Sequence, residues 1–109
     1  MQDFRKHTRL KVLIPCGMRI TNASPADAWG HIHDISMGGL ELHSYFPLTK
    51  GQTVFLTFSI EEIFTFVNTK SSVVRVRRED GYVFAGISFD NVVDKNHLKE
   101  AMQSLLDRT

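Results

Sequence analysis

From Leu10 to Ile20 every second residue is apolar: Leu10, Val12, Ile14, Cys16, Met18 and Ile20. Successive side chains of a strand point to opposite faces, so this alternation predicts a long strand with one face buried. The same period returns in Val54, Leu56, Phe58 and Ile60, and again in Val83, Ala85, Ile87 and Phe89. A chain patterned this way has to build a sheet and then cover its apolar face. Pro15 and Gly17 fall on the opposite face of the first strand, where they mark an edge or a bend.

The segments between these runs complete a β-rich chain. Thr21 to Asp27 is turn chemistry throughout and reads as a loop. Trp29–Ile35 and Gly39–His43 are the second and third strands. Ile32 and Ile35 have opposite parity, which predicts a kink or bulge near Asp34. Phe46-Pro47-Leu48 and Lys50-Gly51 form a connection to the fourth strand, Thr53–Ile60. Glu61-Glu62 breaks the alternation as a turn. Phe64–Thr69 and Ser72–Arg78 continue as strand, readable as one long bent element. Glu79-Asp80-Gly81 is a hairpin turn, and Tyr82–Phe89 is the last strand. The period then changes: Leu98, Ala101, Met102, Leu105 and Leu106 follow i, i+3, i+4, i+7, i+8. This predicts an amphipathic helix over 94–107, with Asp94 as its N-cap. About six strands with short links imply a small antiparallel barrel or sandwich, in which the helix covers an open mouth or face. Closure of the sheet would remove its exposed edges. The length of 109 residues suits one domain, divided into a polar arm (1–9), a sheet region (10–90) and the helix.

Between the second and third strands lies Asp34-Ile35-Ser36-Met37-Gly38-Gly39. A Gly pair there reads as a tight hairpin corner, because Gly takes φ > 0 without steric cost. Asp34 can accept from paired donors, Ser36 can donate or accept, and the Gly38 and Gly39 N–H groups can approach a ligand closely. The alternative is an Asx- or ST-turn that only holds the hairpin together.

Formal net charge is +1, so no global basic field favours DNA. Charge is concentrated at the start: between Met1 and Lys11, Arg5, Lys6, Arg9 and Lys11 face only Asp3, four positives less one negative. Arg5 and Arg9 share a face if the arm is helical, and their Cα atoms lie roughly 13 Å apart if it is extended. Either way their guanidinium groups can converge on one anion; a solvated, frayed terminus is the other reading. Cys16, the lone cysteine, lies on an apolar face and reads as core filling. With no secretory apolar region near Met1, a cytosolic location is expected. The longest apolar runs are too short to cross a bilayer.

Two other constellations carry weaker chemistry. His31 and His33 point the same way on one strand, with His43 on the next, a set able to bind Zn²⁺. No supporting carboxylate or second His pair accompanies them, and solvated strand histidines are the preferred reading, so no metal is expected. Arg75, Arg77 and Arg78 stand beside Tyr82 and Phe84, as in a single-stranded nucleic-acid platform. A solvated face balanced by Glu79 and Asp80 is preferred. No nucleophile, base and orienting group can be placed together, so no catalytic residue and no enzyme activity are expected.

Taken together, Arg5-x-x-x-Arg9 before the first strand and Asp34-x-Ser36-x-x-Gly39 after the second resemble the PilZ domain. That family is the bacterial receptor module for cyclic di-GMP. Both motifs match at every defined position and in order, and the resemblance runs over essentially the whole chain. Where many members carry a further arginine before the first motif, this chain has Phe4. The resemblance implies a six-stranded antiparallel β-barrel capped by a C-terminal α-helix, in a cytoplasmic bacterial protein without a cofactor. It implies cyclic di-GMP as ligand, bound by Arg5, Arg9, Asp34, Ser36 and Gly39, with Phe4, Lys6 and Gly38 as additional contacts. Arg suits phosphate and the guanine O6/N7 edge; a carboxylate suits the guanine N1–H and N2–H₂ donors. With no room for an output domain, the signal is expected to pass to a protein partner as the arm orders. The rivals are a PilZ-like interaction adaptor that binds no nucleotide, and the nucleic-acid barrel using Arg75, Arg77 and Arg78.

Overall fold

The computed structural model describes residues 9–21 and 27–108. It contains β1 (Leu10–Ile20), β2 (Asp27–Ser36), β3 (Gly39–Ser44), β4 (Thr53–Ile60), β5 (Phe64–Glu79), β6 (Tyr82–Phe89) and α1 (Val92–Asp107). Of the expected arm only Arg9 is described, and of the expected 21–27 loop only its two ends, Asp27 already belonging to β2.

All neighbouring strands pair antiparallel in the order β1-β2-β3-β6-β5-β4, and β4 returns to β1, so the sheet closes into a barrel rather than a sandwich. β1 pairs with β2 from Leu10 to Arg19 but with β4 only from Gly17 to Ile20. Pro15 sits in the part of β1 with one neighbour, where its missing N–H costs no ladder bond on the open side. The segments on either side of residue 70 form one 16-residue strand, β5.

The alternating apolar residues point inward. Cys16, Met18, Ile20, Ile32, Ile35, Leu42, Val54, Leu56 and Ile87 are all at most 3% exposed. Phe58 stacks on Phe66 at 4.6 Å between ring centroids, and Phe66 meets Phe89 at 5.8 Å. The lumen is therefore a side-chain core rather than a cavity, as expected of a barrel this narrow. Burial pushes the Cys16 thiol up to about 12, so it stays protonated and inert.

α1 packs through Leu98, Ala101 and Met102, all buried. Its N-cap differs from the expectation. Asn91, in extended conformation, accepts from the Val93 N–H through its side chain at 2.8 Å, and Asp94 lies inside the first turn. Asn and Asp cap equally well; Val92 and Val93, 68% and 69% exposed, lie off the apolar stripe and hide the true start from a periodicity argument. Asp94 still favours the helix by its charge near the positive end of the dipole. At the other end Arg108 forms an ion pair with Glu61 in the β4–β5 turn.

A bulge lies between Ile32 and Asp34 of β2, as parity predicts. It lets Ile32 and Ile35 both face the core, each fully buried, opposite Leu42 and Leu40. His33 and Asp34 are thereby both turned to the outer surface, and this bulge positions the site.

Candidate nucleotide-binding face

Strand register assembles the site. Lys11 on β1 pairs with Asp34, Asp34 with Glu41 on β3, Glu41 with Gly86 on β6, and Gly86 with Arg75 on β5. Five strands thus carry one row across the outside of the barrel: cation, two carboxylates, a glycine, cation. A Cβ on Gly86 would fall 2.7 Å from the Arg75 guanidinium carbon, so the missing side chain is what lets Arg75 lie down across β6.

Arg9 joins this row from the side. Leu10 pairs with Ile35, so Arg9 enters one residue earlier, level with the end of β2. Its Nη1 donates to Asp34 Oδ1 at 3.1 Å. The Asp34 side chain is only 10% exposed, whereas that of Arg9 is 47% exposed. A carboxylate that is nearly covered needs a donor, and the arm-side arginine supplies it. One member of each sequence motif therefore meets in an ion pair.

The hairpin corner lies next along. Ser36 pairs with Gly39 across the two-residue turn Met37-Gly38, and Gly38 has φ +81°. Ser36 Oγ donates to the Gly39 carbonyl at 3.5 Å, a long bond that ties the motif to itself. Gly39 is buried and does not need a positive φ. A Cβ there would fall 2.3 Å from the Ile87 carbonyl oxygen of β6, so its first requirement is close strand approach. Beyond the corner lies a cleft of ≈ 440 Å³, bounded by Ser36, Gly38 and Gly39, by Arg75, and by Lys95 and Lys99 of α1.

The next row out is aromatic. His31 pairs with His43, His43 with Phe84, and Phe84 with Arg77. The bulged His33 stacks on His43 with ring centroids 3.7 Å apart, and His43 meets the Phe84 edge at 4.5 Å. The expected solvated histidines reduce to His31. His33 and His43 are half-buried in the stack, because the bulge brings His33 over His43 instead of leaving it one row away. Burial, and then the neighbouring His43 and His31, lower the His33 pKa. His43 Nε2 is buried without a hydrogen bond among the described residues, 3.7 Å from Glu41 Oε2. The Arg75, Arg77 and Arg78 side chains are exposed as expected, yet two are engaged. Arg77 lies 4.1 Å over the Phe84 ring, and Arg78 donates to the Leu48 carbonyl.

Of the residues singled out in the sequence, Arg9, Asp34, Ser36, Gly38 and Gly39 come together at one end of this face; Phe4, Arg5 and Lys6 lie outside the described residues. Glu41, Lys95 and Lys99 were not singled out. Glu41 is found only through strand register, and the lysines only through where α1 docks. No helix among the described residues is long and apolar enough to cross a membrane.

A filled, closed six-stranded barrel with one C-terminal helix defines a small β-barrel module. More specifically, the chain belongs to the PilZ domain family, whose model matches residues 3–108. Solved structures with this fold include the PilZ domain of YcgR from Escherichia coli, solved with c-di-GMP (TM-score 0.71, 15% identity, covering 97% of this chain and 94% of that one). The PilZ domain of CeSA from a cellulose-synthesizing bacterium is also similar (TM-score 0.63, 18% identity, 89% and 96% covered). So is the Bacillus subtilis inhibitor of motility, MotI/DgrA (TM-score 0.68, 16% identity, 98% and 53% covered); this chain spans about half of it. No curated protein sequence matches.

Proposed function

We propose that this chain is a cyclic di-GMP receptor that relays the second messenger to a protein partner. The observation that carries the reading is the Arg9–Asp34 ion pair, which joins the two motifs of the family at one place on the barrel. In this reading Asp34 accepts from the guanine N1–H and N2–H₂ donors. Arg9 and Arg5 take phosphate or the guanine O6/N7 edge, where a guanidinium fits bidentately. Ser36 bonds to the ligand or keeps the corner in shape, and Gly38 and Gly39 keep that corner low. Phe4 and Lys6 add contacts from the arm. Residues 1–9 have no apolar stripe of their own to bury, so ligand contacts offset their ordering entropy, and the ordered arm presents the new surface to a partner. In this reading the domain acts as a bacterial cytoplasmic receptor module whose ligand is the second messenger.

Calorimetric titration with cyclic di-GMP, with cyclic di-AMP as control, tests this reading. Loss of one charge-assisted contact costs about 1.5–3 kcal/mol, roughly ten- to a hundredfold in affinity. Arg5→Ala and Arg9→Ala are each expected to weaken binding. Asp34→Ala is also expected to blunt discrimination against cyclic di-AMP, whose adenine lacks the N1–H and N2–H₂ donors. Wild-type binding by both arginine variants would sink the arm's role. Arg77, already seated on Phe84, is expected to be indifferent; a main role for it would favour the nucleic-acid barrel.

A further inference from the structure

The cleft beyond the hairpin corner takes Ser36 and Gly39 from the second motif, but its other walls lie outside both motifs. Its walls are the β2–β3 corner, the bulged stretch of β5 at Val74 and Arg75, and the first two turns of α1. Three cations border it, Arg75, Lys95 and Lys99, and no Asp or Glu does. Among the described residues none of the three forms an ion pair. Elsewhere among the described residues Arg19, Arg77 and Arg108 are matched by a carboxylate while Lys11, Lys50, Lys70 and Arg78 are not, so what distinguishes the three is that they border one concavity. Three unmatched positive charges around one concavity raise the local potential for an anion. The helix contributes through its side chains: Lys95, Asn96 and Lys99 line the cleft, whereas its first-turn N–H of Val93 is already capped by Asn91.

Small residues open the cleft to a ligand at the corner. The stem of Lys95 lies along Gly38: a Cβ on that glycine would meet Lys95 Cδ at 3.7 Å. Lys99, one turn later, falls on the same helix face. Arg75 belongs both to this cleft and to the charged row that carries Asp34, so one ligand can touch both.

We propose that this cleft is a phosphate subsite, in which Arg75, Lys95 and Lys99 hold a phosphodiester group of the cyclic dinucleotide whose guanine Asp34 reads. The inference rests on the proposed receptor function. It adds a consequence: a phosphate held there bridges the motif corner to α1, so the helix is a direct reporter of occupancy. A partner that reads α1 needs no contact with the arm.

The test is a calorimetric titration with cyclic di-GMP at fixed salt on wild type, Arg75→Gln and the double variant Lys95→Gln/Lys99→Gln. All three positions are solvent-exposed, so folding is expected to hold and is checked by circular dichroism. Each variant is expected to lose about tenfold or more in affinity, with selectivity over cyclic di-AMP kept, since the guanine edge is read elsewhere. Amide NMR shifts of Gly38, Lys95 and Asn96 are expected to move on titration of wild type. Wild-type affinity in the variants, together with unmoved α1 amides, would overturn the subsite and leave the receptor reading standing. No uptake of cyclic di-GMP by the wild type would overturn both.

Discussion

Gly39 closes the second motif, and the structure separates its two conceivable duties. If it served only to keep a side chain away from a ligand, Gly39→Ala would leave the free protein untouched. The geometry says otherwise. The added Cβ would sit 2.3 Å from the Ile87 carbonyl oxygen and 3.4 Å from the carbonyl carbon. Both atoms are backbone of β6, in the ladder where Gly39 pairs with Ser88 and Leu40 with Ile87. No side-chain rotation relieves that contact, so the strands must part. Overpacking a well-packed site typically costs about 1–3 kcal/mol, and a clash with ladder backbone belongs at the upper end. At about 4 °C per kcal/mol for a domain of this size, the melting temperature is expected to fall by roughly 8–12 °C without ligand. Gly38→Ala is the control. Its Cβ has ordinary van der Waals room against Lys95, so it carries only the strain of φ +81°, about 1–2 kcal/mol. Thermal unfolding followed by circular dichroism reads both. An unchanged melting temperature for Gly39→Ala would refute the packing account and return the residue to ligand access alone.

Other parts of the molecule give sharper single tests. Met102, 1% exposed, faces the barrel from α1, and Met102→Asp would bury a carboxylate among apolar side chains; a loss of about 3 kcal/mol or more is expected in urea titration, and full stability would show that α1 does not pack. Glu62 holds φ 59° in the β4–β5 turn, so Glu62→Gly is expected to stabilise by up to about 1 kcal/mol, with no gain in the denaturation midpoint counting against strain there. His33 has a lowered folded pKa, so the unfolded chain binds its proton more readily. Its contribution is present above the unfolded value near 6.5 and is lost as pH falls through that value toward the folded one. Imidazole NMR titration is expected to place the His33 midpoint below the ordinary value, and a midpoint at or above it would refute the stacked environment.

Closure of the sheet into a barrel rather than a sandwich was implied only by the family resemblance, whereas the sheet itself was legible because period two survives wherever one face is buried. Thr53–Ile60 and Tyr82–Phe89 were read to the residue for that reason. The bulge was legible too, since Ile32 and Ile35 cannot both face a core on a regular strand. Relations between strands were not legible. The Lys11–Asp34–Glu41–Gly86–Arg75 row and the His33–His43 stack depend on register, which local pattern leaves open until the barrel closes. The helix start was missed because two exposed valines imitate a continuing apolar strand. Asp34 and Gly39 were both found as motif members, yet the physical demand on each is tertiary: a donor for a covered carboxylate, and room for a neighbouring carbonyl.

The Arg9–Asp34 pair also predicts an inequality between the two arm arginines. A guanine edge that donates to both Asp34 oxygens competes with the Arg9 Nη1 donor found on Oδ1 in the free protein. Arg9 is therefore both a prospective ligand contact and an internal competitor. The magnitudes decide which role dominates. An ion pair with one partner about half exposed is worth about 0–1 kcal/mol, whereas a charge-assisted contact to ligand phosphate or guanine is worth about 1.5–3 kcal/mol. Arg9→Ala then loses the stronger ligand contact and is relieved of the weaker competing pair, leaving a net weakening of about 0.5–3 kcal/mol. Arg5 has no such offset if it makes a ligand contact of the same kind, so Arg5→Ala is expected to weaken binding at least as much. The offset has its own signature: in Asp34→Asn the competing ion pair is already gone, so adding Arg9→Ala is expected to cost more in that background than in wild type, by up to about 1 kcal/mol. A double-mutant cycle on cyclic di-GMP affinity measures that difference. Strict additivity would show that Arg9 does not guard Asp34 in solution.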